Sequence, residues 1–217
     1  MYYAILMADI LDSGEKDSNK LMLEFKSIVN YINENQRNNI ISPLTITLGD
    51  EFQAIIDTVE NAVNIIIEIE EFILSKGLSF KLRYVLNFGK VETQINRQIA
   101  YEMLGKGLTD ARKELNNLKN SESRFLIKLK KEEWRVEKML NDTFRIFQYF
   151  IDSWKINEYK IVSDFIIHDD YKTIANKFEI NRSTAWRRRK SLNIEEFETL
   201  KKIIYNITYI YEHDLAK

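Results

Sequence analysis

The sequence predicts an α+β fold with strands and turns in the front half and helices alone behind, and three observations predict it. All six glycines (Gly14, Gly49, Gly77, Gly89, Gly105 and Gly107) lie in the first half, where tight turns and close backbone approaches are therefore expected. Apolar residues in that half switch repeatedly between strand-like runs and spacings of three and four. From Glu132 onward only helical spacing remains, with aromatic residues at Trp134, Phe144, Phe147, Phe150 and Trp154.

Tyr2 to Ala8 is an apolar run ending at Asp9, which reads as a buried strand. Asp17 or Ser18 can cap the helix that follows, in which Leu21, Phe25, Ile28 and Ile32 share a face. Leu44 to Leu48 and Phe52 to Ile56 form a hairpin around Gly49, Asp50 and Glu51, with Pro43 opening its first strand and Gly49 at positive φ. A second helix carries Val59, Val63, Ile66, Ile67, Glu70 and Ile73 and stops at Gly77. Ser79 to Asn87 alternates as a further strand. This β-α-β-β-α-β order is the ferredoxin-like, split βαβ arrangement. A short hairpin from Phe88 to Ile99, a helix from Leu108 to Leu118 and a strand from Ser123 to Leu129 complete the front unit. The boundary is expected near residue 135, giving domains 1–135 and 136–217.

Composition narrows the function classes. In 217 residues, 45% are hydrophobic and 32 basic side chains face 33 acidic ones, which excludes a disordered, collagenous or coiled-coil chain. The absence of cysteine removes disulfides, thiolate metal sites and thiol catalysis and suits a reducing cytoplasm. Met1 to Ile10 has no basic start and meets Asp9 too early for a signal peptide, and no apolar run approaches the roughly 20 residues of a membrane span. A cytoplasmic protein with no membrane partner is expected. His168 and His213 belong to no zinc or triad pattern and read as surface residues.

Asp9 ends the first strand and Asp50 sits at the hairpin tip, positions that neighbouring strands of a split βαβ sheet bring together. Two carboxylates that close repel unless a proton or divalent cation intervenes, and oxygen ligands suit Mg²⁺ or Mn²⁺. Spacing alone allows the plainer alternative of a turn residue and a strand-end residue. The run Met7-Ala8-Asp9-Ile10-Leu11-Asp12-Ser13 resembles the first-strand metal motif of class III nucleotide cyclases, and Thr47-Leu48-Gly49-Asp50-Glu51-Phe52 resembles their hairpin motif. The same tip is similar to the GGDEF signature of diguanylate cyclases, with Leu48 in place of its first glycine. Lys81 to Val91 is similar to the cyclase strand ending in glycine, and Leu104 to Arg112 to the start of the cyclase catalytic helix.

That resemblance implies a palm domain in which Asp9, Asp50 and the backbone carbonyl of Ile10 bind Mg²⁺ or Mn²⁺ and a nucleoside triphosphate is the ligand. Asp12, Ser13 and Glu51 are further candidates there. The helix that carries catalytic Asn and Arg in cyclases has Thr109 and Lys113 at the matching positions, and the base-selecting lysine falls on Ile46. Lys113 keeps a charge and loses the planar guanidinium fork.

Near the C-terminus, Tyr171 to Leu192 holds seven basic residues against Glu179 alone. Tyr171 to Lys190 resembles a helix-turn-helix, and its packing logic is legible: Ile174, Phe178 and Ile180 can meet Ala185, and small Ala175 permits a close crossing. Asn181 caps the second helix, which would present Arg182, Ser183, Trp186, Arg187 and Lys190 outward, with Arg188 in the same basic cluster. These are the expected DNA contacts, arginines to base edges and the rest to phosphates. Glu179 takes the turn position where glycine is usual, and Arg189 stands where an apolar residue usually points inward. A last helix, Ile194 to His213, is expected to cover the scaffold, with pairing of two subunits as the alternative.

Front and back together resemble the SatD family of small bacterial proteins. The expected function is an intracellular DNA-binding regulator, a homodimer, whose cyclase-like palm binds divalent metal and nucleotide. The alternatives are an active nucleotidyl cyclase and a palm that serves only as a dimerisation platform.

Overall fold

The computed structural model describes residues 1–12, 18–168 and 170–213. In chain order its elements are β1 (Tyr2–Ile10), α1 (Ser18–Asn35), β2 (Ile40–Ile46), β3 (Glu51–Ile56), α2 (Val59–Lys76), β4 (Leu82–Lys90), α3 (Lys106–Leu118), β5 (Phe125–Lys128), α4 (Trp134–Ser153), α5 (Tyr159–Ile167), α6 (Tyr171–Lys177), α7 (Arg182–Ser191) and α8 (Ile194–His213). The chain is thus mixed α+β. Its strands form one five-stranded sheet in the order β2-β3-β1-β4-β5. β1 lies antiparallel to both β3 and β4, β2 is antiparallel to β3, and β5 runs parallel to β4 after the α3 crossover.

Strand alternation divides the central strand between two layers. Ala4, Leu6, Ala8 and Ile10 join the larger core with α1 and α2, whereas Ile5 and Met7 meet Leu108, Ala111, Leu115 and Leu118 of α3 on the other face. The larger core does not stop at residue 135. Leu140, Phe144 and Phe147 of α4, Phe165 of α5 and Phe197 of α8 belong to the same apolar cluster as Phe125 and Ile127 of β5. α2 is apolar almost all round because it is covered twice, by the sheet on one side and by α5 and α8 on the other.

The sheet differs from the sequence reading in three places. β2 begins four residues earlier than expected, and Pro43 sits inside it, where the register to β3 slips between Ser42 and Thr45. An edge strand tolerates proline at such an irregularity because the missing donor has no ladder partner to satisfy. β4 is displaced three residues toward the C-terminus, so Gly89 lies within it. No hairpin follows among the described residues. Instead the segment 91–105 is an irregular strap tied to the sheet by side chains: Ser42 Oγ donates to the Asn96 carbonyl at 2.6 Å and Gln53 Nε2 to the Ala100 carbonyl at 2.9 Å, while Ala100 N donates to Thr45 Oγ1 at 2.8 Å. Its apolar residues Val91, Ala100 and Met103 are buried under α3.

Gly49, at the β2–β3 tip, takes the expected positive φ of 84°. Ser18 is the first residue of α1, and the candidate cap Asp17 lies outside the described residues. His168 and His213 are both exposed, with His213 Nε2 at 3.5 Å from Glu60.

Candidate functional site

Asp9 follows Met7 on the α3 face of β1, and the register sets Glu51 of β3 on one side of it and Arg83 of β4 on the other. Directly opposed side chains on one sheet face are neighbours. Charge buried on this face must therefore be balanced locally. Arg83 Nη1 donates to both Asp9 oxygens, at 3.0 and 2.9 Å, and Lys119 Nζ stands 3.4 Å from Asp9 Oδ2. Glu51 is bound by Arg112 and lies 3.8 Å from the same Lys119 ammonium. Three cationic groups thus face two buried carboxylates. Burial pushes the Asp9 carboxyl above its ordinary range; Arg83 and Lys119 oppose that rise, and the charge of Glu51 adds to it.

Two features of α3 bring its cations here. Arg112 lies within α3 and Lys119 caps its C-terminal end seven residues on, two turns along the same side, beside the buried stripe Leu108, Ala111, Leu115 and Leu118. The helix also approaches β4 closely enough that a Cβ added at Gly107 would come within 2.6 Å of the Gly89 carbonyl carbon. Only paired glycines allow that approach. Asn87 Nδ2 closes it by donating to the Gly107 carbonyl at 2.8 Å.

The expected metal ligands are only partly assembled. Asp50 is half-buried at the hairpin tip, and its carbonyl accepts from Ile10 N at 2.9 Å, so the two segments do meet. The carboxylate opposite Asp9 is nevertheless that of Glu51. Both oxygens of Asp9 already accept from a guanidinium, and Glu51 is taken by Arg112 and Lys119. Among the described residues no three His, Asp or Glu side chains are grouped to hold a metal ion. This donor set does not fit Mg²⁺ or Mn²⁺.

Thr109 and Lys113 are not brought to the cluster. Both lie on the exposed side of α3, and the Thr109 hydroxyl donates to the Gly105 carbonyl at 3.4 Å. Asp12 takes a positive φ of 54° just beyond β1, and Ser13 lies outside the described residues. Sequence reasoning passed over Arg83, Arg112 and Lys119 as site residues. The signal was present in the seven-residue spacing of Arg112 and Lys119 and in Arg83 on an alternating strand.

A second polar surface is formed by α6 and α7. Asp170 caps α6, accepting from Lys172 N and Thr173 N, and those amides hold its carboxyl below the usual range. Ile174, Ala175 and Ala185 are buried where the helices cross. The turn between them places Glu179 at φ 51°, the left-handed conformation for which glycine is usual, and Ile180 N then reaches the Ala175 carbonyl at 3.0 Å. Asn181 caps α7, accepting from Thr184 N at 2.7 Å.

The outer face of α7 carries Arg182, Ser183, Trp186 and Arg187, and Trp186 is 50% exposed. The Ser183 hydroxyl is turned to Asn181 Oδ1 at 2.8 Å. Arg188 and Lys190 are drawn off this face, to Glu158 at 3.2 Å and Glu195 at 2.8 Å. Arg189 is half-buried beside Phe165 and Ile166.

Fold and sites define a mixed α+β protein with a charged cluster at one end of its central strands and a basic helix pair behind. The profile of the SatD family matches residues 2–208, and the chain belongs to that family. Among solved structures it is similar to a bacterial light-regulated adenylyl cyclase (14% identity, 58% of this chain and 74% of that one, TM-score 0.42). It is also similar to the catalytic core of a rhodopsin-guanylyl cyclase with converted specificity, in complex with ATPαS (18%, 52% and 70%, 0.37). A third is the guanylate cyclase domain of RhGC from Catenaria anguillulae in complex with GTP (20%, 51% and 70%, 0.32). No curated protein matches. No described helix is long and apolar enough to cross a membrane.

Proposed function

We propose that this chain is a DNA-binding regulator built from two units on one shared core. Residues 1–135 are a ferredoxin-like, cyclase-like palm that binds a nucleoside triphosphate at the Asp9, Glu51, Arg83, Arg112 and Lys119 cluster. Residues 136–217 carry a helix-turn-helix, α6 and α7, that meets DNA as a homodimer. One observation carries the DNA reading: Arg182, Trp186 and Arg187 all face solvent on the first two turns of α7, behind a turn closed by left-handed Glu179. The N-terminal residues of a recognition helix are those that reach base edges, and two such helices in a dimer read paired half-sites.

α5 and α8 support a connection between the units, since both pack on α2 and both contact the α6–α7 pair. A nucleotide regulates DNA binding only as far as it favours one arrangement of the two recognition helices over another. Selection of genomic fragments by the full chain, followed by affinity measurements on the best fragment, tests the reading. Arg187→Ala and Trp186→Ala should each weaken binding by about tenfold or more. Unchanged affinity in both variants removes the helix-turn-helix assignment.

The second reading is an active nucleotidyl cyclase, favoured by the half-exposed Arg112 beside buried Glu51 and Lys119 beside buried Asp9. Mass spectrometry of ATP and GTP incubations separates it from the first. A cyclic or linear product that disappears in Asp9→Asn makes the protein an enzyme.

A further inference from the structure

We propose that the front site holds its phosphorylated ligand without a divalent metal: Arg112 and Lys119 take the phosphate oxygens, and Arg83 remains on Asp9 as a built-in counter-ion. The proposal rests on the nucleotide reading above and concerns what neutralises the phosphates. Arg83 and Asp9 are shut away from water, with side chains 13% and 3% exposed. A divalent ion on Asp9 has to displace this two-oxygen contact and leave a buried guanidinium next to a doubly charged cation. Removing one partner of a buried pair is strongly unfavourable even before that repulsion is added. Arg83 supplies the neutralisation that a metal otherwise provides.

The other two cations are placed differently. The Lys119 side chain is 45% exposed and that of Arg112 31%, and both converge on Glu51 from the open side of α3. At 3.4 and 3.8 Å from its two carboxylates, Lys119 is held by charge more than by directed hydrogen bonds. Its ammonium, at the open rim of the cluster, can turn to an arriving anion while Arg83 stays on Asp9. The Arg112 fork suits two oxygens of one phosphate. With Arg83 already matched to Asp9, the two remaining cations share the single charge of Glu51, so the accessible part of the cluster is cationic. It selects an oligophosphate or nucleoside polyphosphate and has nothing to offer a free metal ion.

Calorimetry on the full chain with tripolyphosphate, ATP and GTP, each in EDTA and in Mn²⁺, tests this. The affinity in EDTA should match that in Mn²⁺ within about threefold for at least one of the three. Lys119→Ala and Arg112→Ala should lower it by about ten- to a hundredfold. Mn²⁺ alone should leave the melting temperature of the native protein unchanged and raise that of Arg83→Gln, in which Asp9 has lost its counter-ion. Binding that requires Mn²⁺ and is lost in Asp9→Asn overturns the metal-free proposal and leaves the nucleotide reading intact. Absence of binding for all three probes in both conditions overturns both. If Arg83→Gln does not fold, the comparison of EDTA with Mn²⁺ on the native chain decides alone.

Discussion

The cluster at the end of β1 and the face of α7 are both rich in arginine, and they use it in opposite ways. At β1, Asp9 and Glu51 are almost fully buried, and Arg83, Arg112 and Lys119 are each held against one or both of these carboxylates. On α7, Arg182 and Arg187 face solvent, and the neighbouring Arg188 and Lys190 are drawn aside by Glu158 and Glu195. Buried charge has to be matched within the fold because the unpaired group carries the whole desolvation penalty. Exposed charge escapes that penalty, contributes little to stability and stays available to a partner.

The largest expected effect tests the buried half of this contrast away from either site. Arg124 is buried and binds Glu70 at 3.1 Å and Asp152 at 3.1 Å, linking β5 to α2 and α4. Tyr84 donates to the same Glu70 at 2.8 Å. Arg124→Ala leaves buried Glu70 with only the Tyr84 hydroxyl and Asp152 with only Lys81, and should cost about 3–5 kcal/mol in denaturant unfolding. A loss as small as that of an exposed arginine breaks the comparison. Arg83→Ala should cost less, about 1–3 kcal/mol, because Lys119 remains beside Asp9. Arg187→Ala should leave the unfolding free energy within about 0.5 kcal/mol of the native value while weakening DNA binding.

Acid sharpens the same contrast through two aspartates of opposite shift. The folded pKa of Asp9 is raised, so its ionisation opposes folding at neutral pH, and that opposition fades as the pH falls through the raised value toward the ordinary 3.8. The folded pKa of Asp170 is lowered, so its cap is fully effective above 3.8 and is lost as the pH falls through the folded value. Amide exchange on acidification should therefore open Lys172 and Thr173 while the end of β1 stays protected. The smallest expected effect lies in the turn. Glu179→Gly removes a side chain from a left-handed position and should raise stability by about 0.5–1 kcal/mol, with no loss of DNA binding.

Much of the architecture was legible in the sequence because apolar period is a strong signal where one face is buried. β1, β3, α2 and α3 lie close to where that period set them, and Glu179 and Asn181 take the turn and cap positions their residue types suggested. The edge strand β2 was displaced because slips in register, and not alternation, accommodate Pro43. The hairpin expected from Phe88 to Ile99 does not form, because β4 runs on to Lys90 and amides of the strap beyond it bond to side chains and loop carbonyls. At the site, Asp9 was legible as a strand-end carboxylate. Its true neighbours were not, since pairing register decides whether Glu51 or Asp50 stands opposite, and a single residue changes the answer.

A salt titration of DNA binding tests the central claim most directly. The logarithm of affinity should fall linearly with the logarithm of salt concentration, and the slope for Arg187→Ala should be shallower by about one. Failure of the native chain to bind DNA at low salt, or an identical slope in native chain and variant, would contradict the account.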